Sequence, residues 1–485
     1  MDQLQKILDA ISGFVWGPWL LIPLLLGTGI FLTIRLRFIQ FRKLGPALNL
    51  GLIRRNDDTE GGDISQYQAL TTALAATVGV GNIVGVATAI AIGGPGALFW
   101  MWVTGLFGMA SKYAEAFLGV RFRKTDANGD KSGGPQYYLE RGIKGKFGRF
   151  LAIWFAVFAV FASFGIGNMT QGNAVATQLE GAFNISPWVT GIVLTILIGL
   201  VLLGGIKSIG KVTAAFVPAM IVLYIVFGMV VLIANGPALP GALAQVFTMA
   251  FSGTDAVAGG FTGSAIMLVL QMGVARGIFS NESGMGSAAI AAAAAKTTHP
   301  VRQGLVSMTQ TFIDTIIVVT FTGLTIVATG VWETGNANGE AGLMTSHAFA
   351  TTLGDFGNII VALSIAFFAF STILGWAYYG ERCMERLFGV KGVPVYRIVF
   401  TLVVFIGCTV PLALVWTFAD IMNGLMALPN LIGLLVLSGL IARETKHYLD
   451  HDPKLRASAS EIDAFMEGHE RHDADVVGQG AVRAT

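Results

Sequence analysis

The stretch GVGNIVGVATAIAIGGPGALFWMW, residues 79–102, is apolar enough to sit in a bilayer, yet it interrupts its own helix. Gly79, Gly81 and Gly85 surround a single amide, Asn82. A span that only has to cross gains nothing from this arrangement. A broken span frees carbonyl and N–H groups at membrane depth, and a ligand, an ion or water must then satisfy them. The pattern points to a protein that binds a small polar solute inside the membrane and carries it across.

Composition agrees. Of 485 residues, 54% are hydrophobic and only 12% charged, where a soluble chain carries about 25% charged residues. Mean hydropathy is +0.68. Such a chain reads as an all-α polytopic membrane protein in a lipid bilayer. Its helical spans imply a bacterial cytoplasmic (inner) membrane, because outer-membrane proteins are built from strands. A net charge of +2 gives no reason to expect nucleic acid as a partner. Cys383 and Cys408 have no metal-ligand spacing. There is no P-loop, HExxH or nucleotide fingerprint, which argues against an ATP-driven pump, an enzyme or a bound organic cofactor.

Eleven apolar stretches are long enough to span: 16–34, 71–91, 96–119, 149–179, 187–204, 212–234, 256–275, 305–329, 356–378, 396–415 and 418–441. A short amphipathic lead precedes the first. Lys and Arg gather in alternate loops, for example Arg35 to Arg55, Arg121 to Lys124, and Arg382 to Lys391. The intervening loops 180–187, 235–250 and 330–355 are almost free of them. By the positive-inside rule the N-terminus lies outside and the C-terminus in the cytoplasm.

The second and seventh spans both carry glycines at their middle, the latter Gly259, Gly260 and Gly263. Interrupted spans five apart are the mark of two five-helix halves in inverted orientation. The expected division is 1–70, an N-terminal helix and loop; 71–234, the first repeat; 235–445, the second; and 446–485, a disordered polar tail. The segment RGIFSNESGMGSAAIAAAAAKTTHPVRQ, 276–303, reads either as a half-inserted cytoplasmic helix of an inner gate or as a plain structured loop.

Polar residues inside the spans are the candidate ligands. The broken second span offers Thr71, Thr72, Thr77 and Asn82, and Gly79 and Gly81 permit an unwound segment whose half-helix ends suit a carboxylate and a cation. Asn168 and Gln171 share a helical face in the fourth span, where amides either face a cavity or clamp a neighbouring helix. Ser371 and Thr372 are hydroxyls suited to a hard cation, and Trp376, one turn on, can wall a pocket. Asp314 in the eighth span must be protonated, paired or cation-bound; it reads either as a proton-coupling site, the alternative to sodium, or as a structural cap for neighbouring hydroxyls. Lys112 and Glu115, three apart, neutralise each other. Glu381 and Arg382 end the ninth span and face the cytosol.

The run GGPGALFWMW ending at Trp102, GIFSNESGMGSAAIAAAAA at 277–295 and SGGPQYYLERG at 132–142 closely resemble motifs of the alanine or glycine:cation symporters, over roughly 15–445. The resemblance implies the inverted five-plus-five fold of the bacterial leucine transporter with one extra N-terminal helix. It implies alanine or glycine taken up with sodium as the coupling ion. Carried onto this chain, Gly79, Val80, Gly81 and Asn82 hold the charged ends of the amino acid. Asn168, Gln171, Thr372 and Trp376 complete its pocket, and Phe261 closes over it. Sodium lies among Thr77, Val80, Ser371 and Thr372.

Overall fold

The computed structural model describes residues 2–17, 19–55, 61–252, 262–335, 341–410 and 413–466. These residues are helical nearly throughout. Six of their helices are long and apolar enough to cross a membrane, and a bent pair makes a seventh. Among the described residues, each of the eleven expected spans falls mainly on helix. The architecture is an all-α membrane bundle in which the second and seventh spans are discontinuous.

The chain opens with α1 (Asp2–Val15) and α2 (Leu21–Arg35). α1 lies beside the last helix, to which Gln5 donates through Thr417 Oγ1 and Trp16 through the Asp420 carbonyl. The first broken span begins with α3 (Gln66–Thr77), which starts at a capping box: Ser65 Oγ accepts from Gln68 N–H and Gln68 Oε1 from Ser65 N–H. Val78, at φ −76° and ψ 88°, leaves the helix. A π-helical turn, Gly81–Gly85, then leads into α4 (Val86–Gly93), and the two halves meet at 52°.

α5 (Gly96–Arg121) follows. The fourth span runs unbroken from 146 to 183 as α6 (Lys146–Phe164), a π turn at Gly165–Met169 and α7 (Thr170–Phe183). α8 (Pro187–Leu202) and α9 (Gly205–Ala234) complete the first half. α10 (Leu239–Ser252) is the short helix between the halves and packs on α5.

The second broken span differs from the expectation. α11 runs over Thr262–Asn281, six residues past the expected end at 275, and the described break falls at 282–287. Gly259, Gly260 and Phe261 lie outside the described residues. At the break Glu282, Gly284 and Gly286 all have positive φ (54°, 89° and 85°). Glycine adopts this region without strain, whereas Glu282 has to be held there. α12 (Ala288–Ala293) then resumes. Residues 283–295 are buried, so the plain cytoplasmic loop is corrected to a segment packed inside the bundle. An alanine run suits that place because its small side chains let backbones approach closely.

α13 (Pro300–Thr311), a π segment Phe312–Val319 and α14 (Thr320–Ala328) form the eighth span. α15 (Met344–Leu353) precedes α16 (Asp355–Phe388), α17 (Gly392–Thr409) and α18 (Ala413–His451). Two expectations fail at the end that carries the basic loops. Glu381 and Arg382 are buried rather than facing the cytosol, in a network with Asp126, Glu385 and Arg397. The tail expected to be disordered from 446 instead extends α18 to His451 and packs as far as 466, with Leu455 and Ile462 buried. At the same end, Asp63 and Ile64 donate to the Ala294 carbonyl, and Lys296 donates to Ile64. The segments entering α3 and leaving α12 are thus joined by main-chain bonds, one from each half of the fold.

Candidate functional site

Four of the sequence-nominated residues converge on the first break. A Cβ placed on Gly79 would collide with Thr372 Oγ1 and lie 3.3 Å from Gln171 Oε1. The backbone N–H of Val80 donates to Gln171 Oε1 at 3.4 Å. Thr372 sits one turn before Trp376 on α16, and the Trp376 side chain packs so tightly on Gly167 that no Cβ fits there. Glycine is required at 79 and 167 because α16 and α7 approach the backbone itself.

Asn82 organises the break from the other side. Its Oδ1 accepts from the Gly79 N–H at 2.9 Å, and its Nδ2 donates to Asp314 Oδ1 at 2.7 Å. Asp314 Oδ2 accepts from Ser280 Oγ at 2.9 Å and Thr315 Oγ1 at 2.8 Å. Both Asn82 and Asp314 are fully buried. One carboxylate therefore spans the two broken helices. Asn82 and Asp314 lie within π-helical turns, and Gln171 lies just past one. Such turns re-aim side chains and free carbonyls from the regular ladder.

The nominated cation ligands separate. Ser371 Oγ donates to the Phe368 carbonyl of its own helix at 2.8 Å and lies 3.3 Å from the Ala75 carbonyl near the C-terminal end of α3, where helix carbonyls favour a cation. Thr372 donates to Phe368 of its own helix. The Thr77 hydroxyl faces the opposite way: it donates to Ala73 and accepts from Gln310 Nε2 at 3.0 Å. Asn168 is also turned away, its Nδ2 donating to the Phe400 carbonyl of α17 at 2.8 Å. That bond clamps two helices, while the Asn168 Oδ1 is buried with no hydrogen-bond partner among the described residues.

The second break is held by buried charge. Lys112 Nζ donates to the Glu282 carbonyl at 2.9 Å and lies 3.7 Å from Glu115 Oε2. Glu115 Oε1 accepts from the Gly286 N–H and from Asn430 Nδ2. The pair is thus more than the local neutralisation expected of it, because it satisfies backbone groups freed by the turn. The Glu282 carboxylate accepts from Trp376 Nε1 at 2.8 Å and Ser287 Oγ at 2.5 Å. Among the described residues no cluster of His, Cys, Asp and Glu could hold a transition metal. A cavity of about 340 Å³ between α7, α8, α9 and α16 is lined almost wholly by apolar side chains such as Val175, Phe216 and Phe370, and offers nothing to a charged solute.

The profile of the sodium:alanine symporter family matches residues 1–461. The chain belongs to that family. The sodium/alanine symporter AgcS of Methanococcus maripaludis is 52% identical over 91% of this chain and 97% of its own. The probable sodium/glutamine symporter GlnT of Bacillus subtilis is 38% identical over 92% and 91%. Among solved structures, MhsT in complex with L-phenylalanine superposes with a TM-score of 0.52 over 80% of this chain and 99% of its own, at 15% identity, a likeness of fold alone. This symporter-family chain is a membrane transporter, not an enzyme.

For this family member, four groups at the site escaped the sequence reading. Phe279 and Ser280 lie against Gly81, with the Phe279 ring 3.1 Å from where a Cβ would stand. Phe279 thus lies against the first break, while Phe261 lies outside the described residues. Glu282 was seen as part of a polar turn, without its bond to Trp376. Gln310 had a signal: Gln303, Ser307, Gln310 and Asp314 recur at intervals of four, three and four, a polar stripe on a helix that is buried all round.

Proposed function

We propose that the protein imports a small neutral amino acid, alanine or glycine, together with sodium, by alternating access across a bacterial cytoplasmic membrane. The observation that carries this reading is the approach of Thr372 and Gln171 to the Gly79 backbone at the break. A zwitterion out of water needs both charges neutralised. The N-terminal end of the helix from Gly81 suits the carboxylate, and the carbonyls ending α11 suit the ammonium. Gln171 and Thr372 supply neutral polar contacts. Trp376 and Phe279 bound the side-chain space, which favours a hydrogen or a methyl. Sodium fits at the end of α3 beside Ser371. The names of AgcS and GlnT support cation-coupled amino-acid transport.

Sodium at that end would order the break and raise solute affinity, and by linkage the solute would raise sodium affinity equally. In this reading the N-terminus is outside, the C-terminus cytoplasmic, and the repeats span 71–234 and 235–445. The test is uptake of labelled L-alanine into proteoliposomes under an inward sodium gradient, against potassium and a pH gradient. Accumulation with sodium alone, lost in Thr372→Ala, is the expected result. Accumulation driven only by the pH gradient would overturn sodium coupling.

A further inference from the structure

At the end of the bundle that carries the basic loops, a cavity of about 280 Å³ lies between two segments far apart in the chain. One wall is the short helix Leu44–Leu48 with the π turn Asn49–Arg54, which follow α2. The other is Pro453 to Arg456, just beyond α18. Arg54, Lys454 and Arg456 line the cavity, and among the described residues no acidic side chain does. Lys43 stands beside it: its Nζ donates to the Pro453 carbonyl at 2.6 Å, as Arg54 Nη1 does to the Leu455 carbonyl at 2.8 Å. Among the described residues none of these four cations forms an ion pair. Asp452, the carboxylate next in sequence, is turned to the Arg302 guanidinium and the Tyr448 hydroxyl. Burial and the neighbouring Arg42 guanidinium hold the Lys43 pKa below its ordinary value, against the pull of Asp452. Positive charge is crowded here, and a bound anion would relieve it.

Apolar residues adjoin the charges. Ile34, Phe38 and Phe41 lead from the surface of α2 toward Lys43, and all three are exposed. Ile53, next to Arg54, is 73% exposed. Basic residues beside bare apolar ones mark a segment that meets the membrane surface. We propose that this cavity binds the headgroup of an anionic phospholipid, its phosphate held by Arg54, Lys454 and Arg456 and its acyl chains lying over Phe38, Phe41 and Ile53. Guanidinium groups fork onto phosphate oxygens, and each arginine keeps donors to spare for them. A cavity lined by cations alone favours a net negative headgroup over a zwitterionic one. A soluble phosphate would use the same cations and leave the apolar residues bare. The lipid would bridge the two walls and so pin the C-terminal segment, which Arg302 joins to the head of α13, to the chain that follows α2. Its binding does not depend on the solute or the coupling ion.

Native mass spectrometry of the purified full chain reads the lipid retained. Phosphatidylglycerol should bind about tenfold or more tighter than phosphatidylcholine. Lys454→Gln combined with Arg456→Gln should remove most of that preference. Among the described residues neither side chain makes a hydrogen bond, so the melting temperature in lipid-free detergent should stay near wild type. Lys144→Gln combined with Lys146→Gln takes the same charge from exposed positions before α6 and should leave the preference intact. Glycerol phosphate, the headgroup without chains, should compete weakly. Chymotrypsin should cut at Leu455 and Phe465 more slowly in phosphatidylglycerol vesicles than in phosphatidylcholine vesicles. Equal retention of the two lipids, or an equal loss from the 144 and 146 pair, would overturn the site. Full competition by glycerol phosphate would overturn the lipid and leave a soluble anion in its place.

Discussion

The indole N–H of Trp376 donates to the Glu282 carboxylate at 2.8 Å. One wall of the candidate pocket is thereby fastened to the one non-glycine residue in the second break that has positive φ. Trp376→Phe keeps most of the ring and removes the donor. Leaving a buried carboxylate short of one bond costs about 1–3 kcal/mol. The variant should unfold at lower temperature and transport more slowly, both by more than Trp154→Phe, whose indole bonds a backbone carbonyl at a half-buried position.

Gly79→Ala should abolish uptake, because the added methyl meets the Thr372 hydroxyl and the Gln171 amide. Gly85→Ala is the matched control: its Cβ would meet nothing within 4 Å, and its backbone is helical. It should transport like wild type, since alanine suits a helix better than glycine. Initial-rate uptake of labelled alanine compares the two.

Phe279→Ala should widen the range of solutes. Removing a ring that lies against Gly81 opens space for a longer aliphatic side chain. A difference of a methyl or two in an apolar pocket is worth about 1–3 kcal/mol. Competition of valine against labelled alanine should therefore improve by about tenfold or more.

Lys112→Met removes the partner of a buried ion pair and should destabilise the fold by about 3–5 kcal/mol. Adding Glu115→Gln should recover part of that loss, because the uncompensated charge goes with it. Thermal melts of the purified single and double variants read the difference.

The packed C-terminal segment should come loose only in strong acid. Burial acts to raise the pKa of Asp452, but the Arg456 N–H, the Arg302 guanidinium, the Ala457 N–H and the Tyr448 hydroxyl together outweigh it and hold the pKa below the ordinary carboxylate value. A depressed folded pKa gives stability that is complete above the unfolded value and lost as pH falls through the folded one. Proteolysis within 452–466 should thus be slow at neutral pH and at pH 5, and rise below about pH 4. Asp452→Asn should show the rise at neutral pH.

The spans were legible because long apolar runs have few other uses, and the first break because glycines around an amide have no other good reason in a bilayer. Gln171, Ser371, Thr372 and Trp376 were legible as polar or bulky residues at helical spacing. Asn168 was read two ways because an amide in a span serves a clamp or a pocket equally well, and its bond to Phe400 supplies the clamp. The break at 282–287 was read only as a polar turn, because the buried partners that hold it, such as Lys112, Glu115 and Asn430, come from distant sequence. The segment 446–466 looked disordered because its anchors, Arg302, Lys43 and Arg54, lie far away in the chain.

The main-chain bonds between residues 63–64 and 294–296 are backed by one side chain, Arg123, whose guanidinium donates to the Gly61, Ala293 and Ala295 carbonyls. Side-chain replacement within 63–64 or 294–296 leaves every main-chain donor and acceptor in place, and proline is the one substitution there that deletes a donor. Each segment is continuous with one of the broken helices, so a shift of either helix at this end would strain the same bonds. The joint therefore tolerates drift of the side chains along either edge, yet hangs on a single guanidinium borrowed from a third segment.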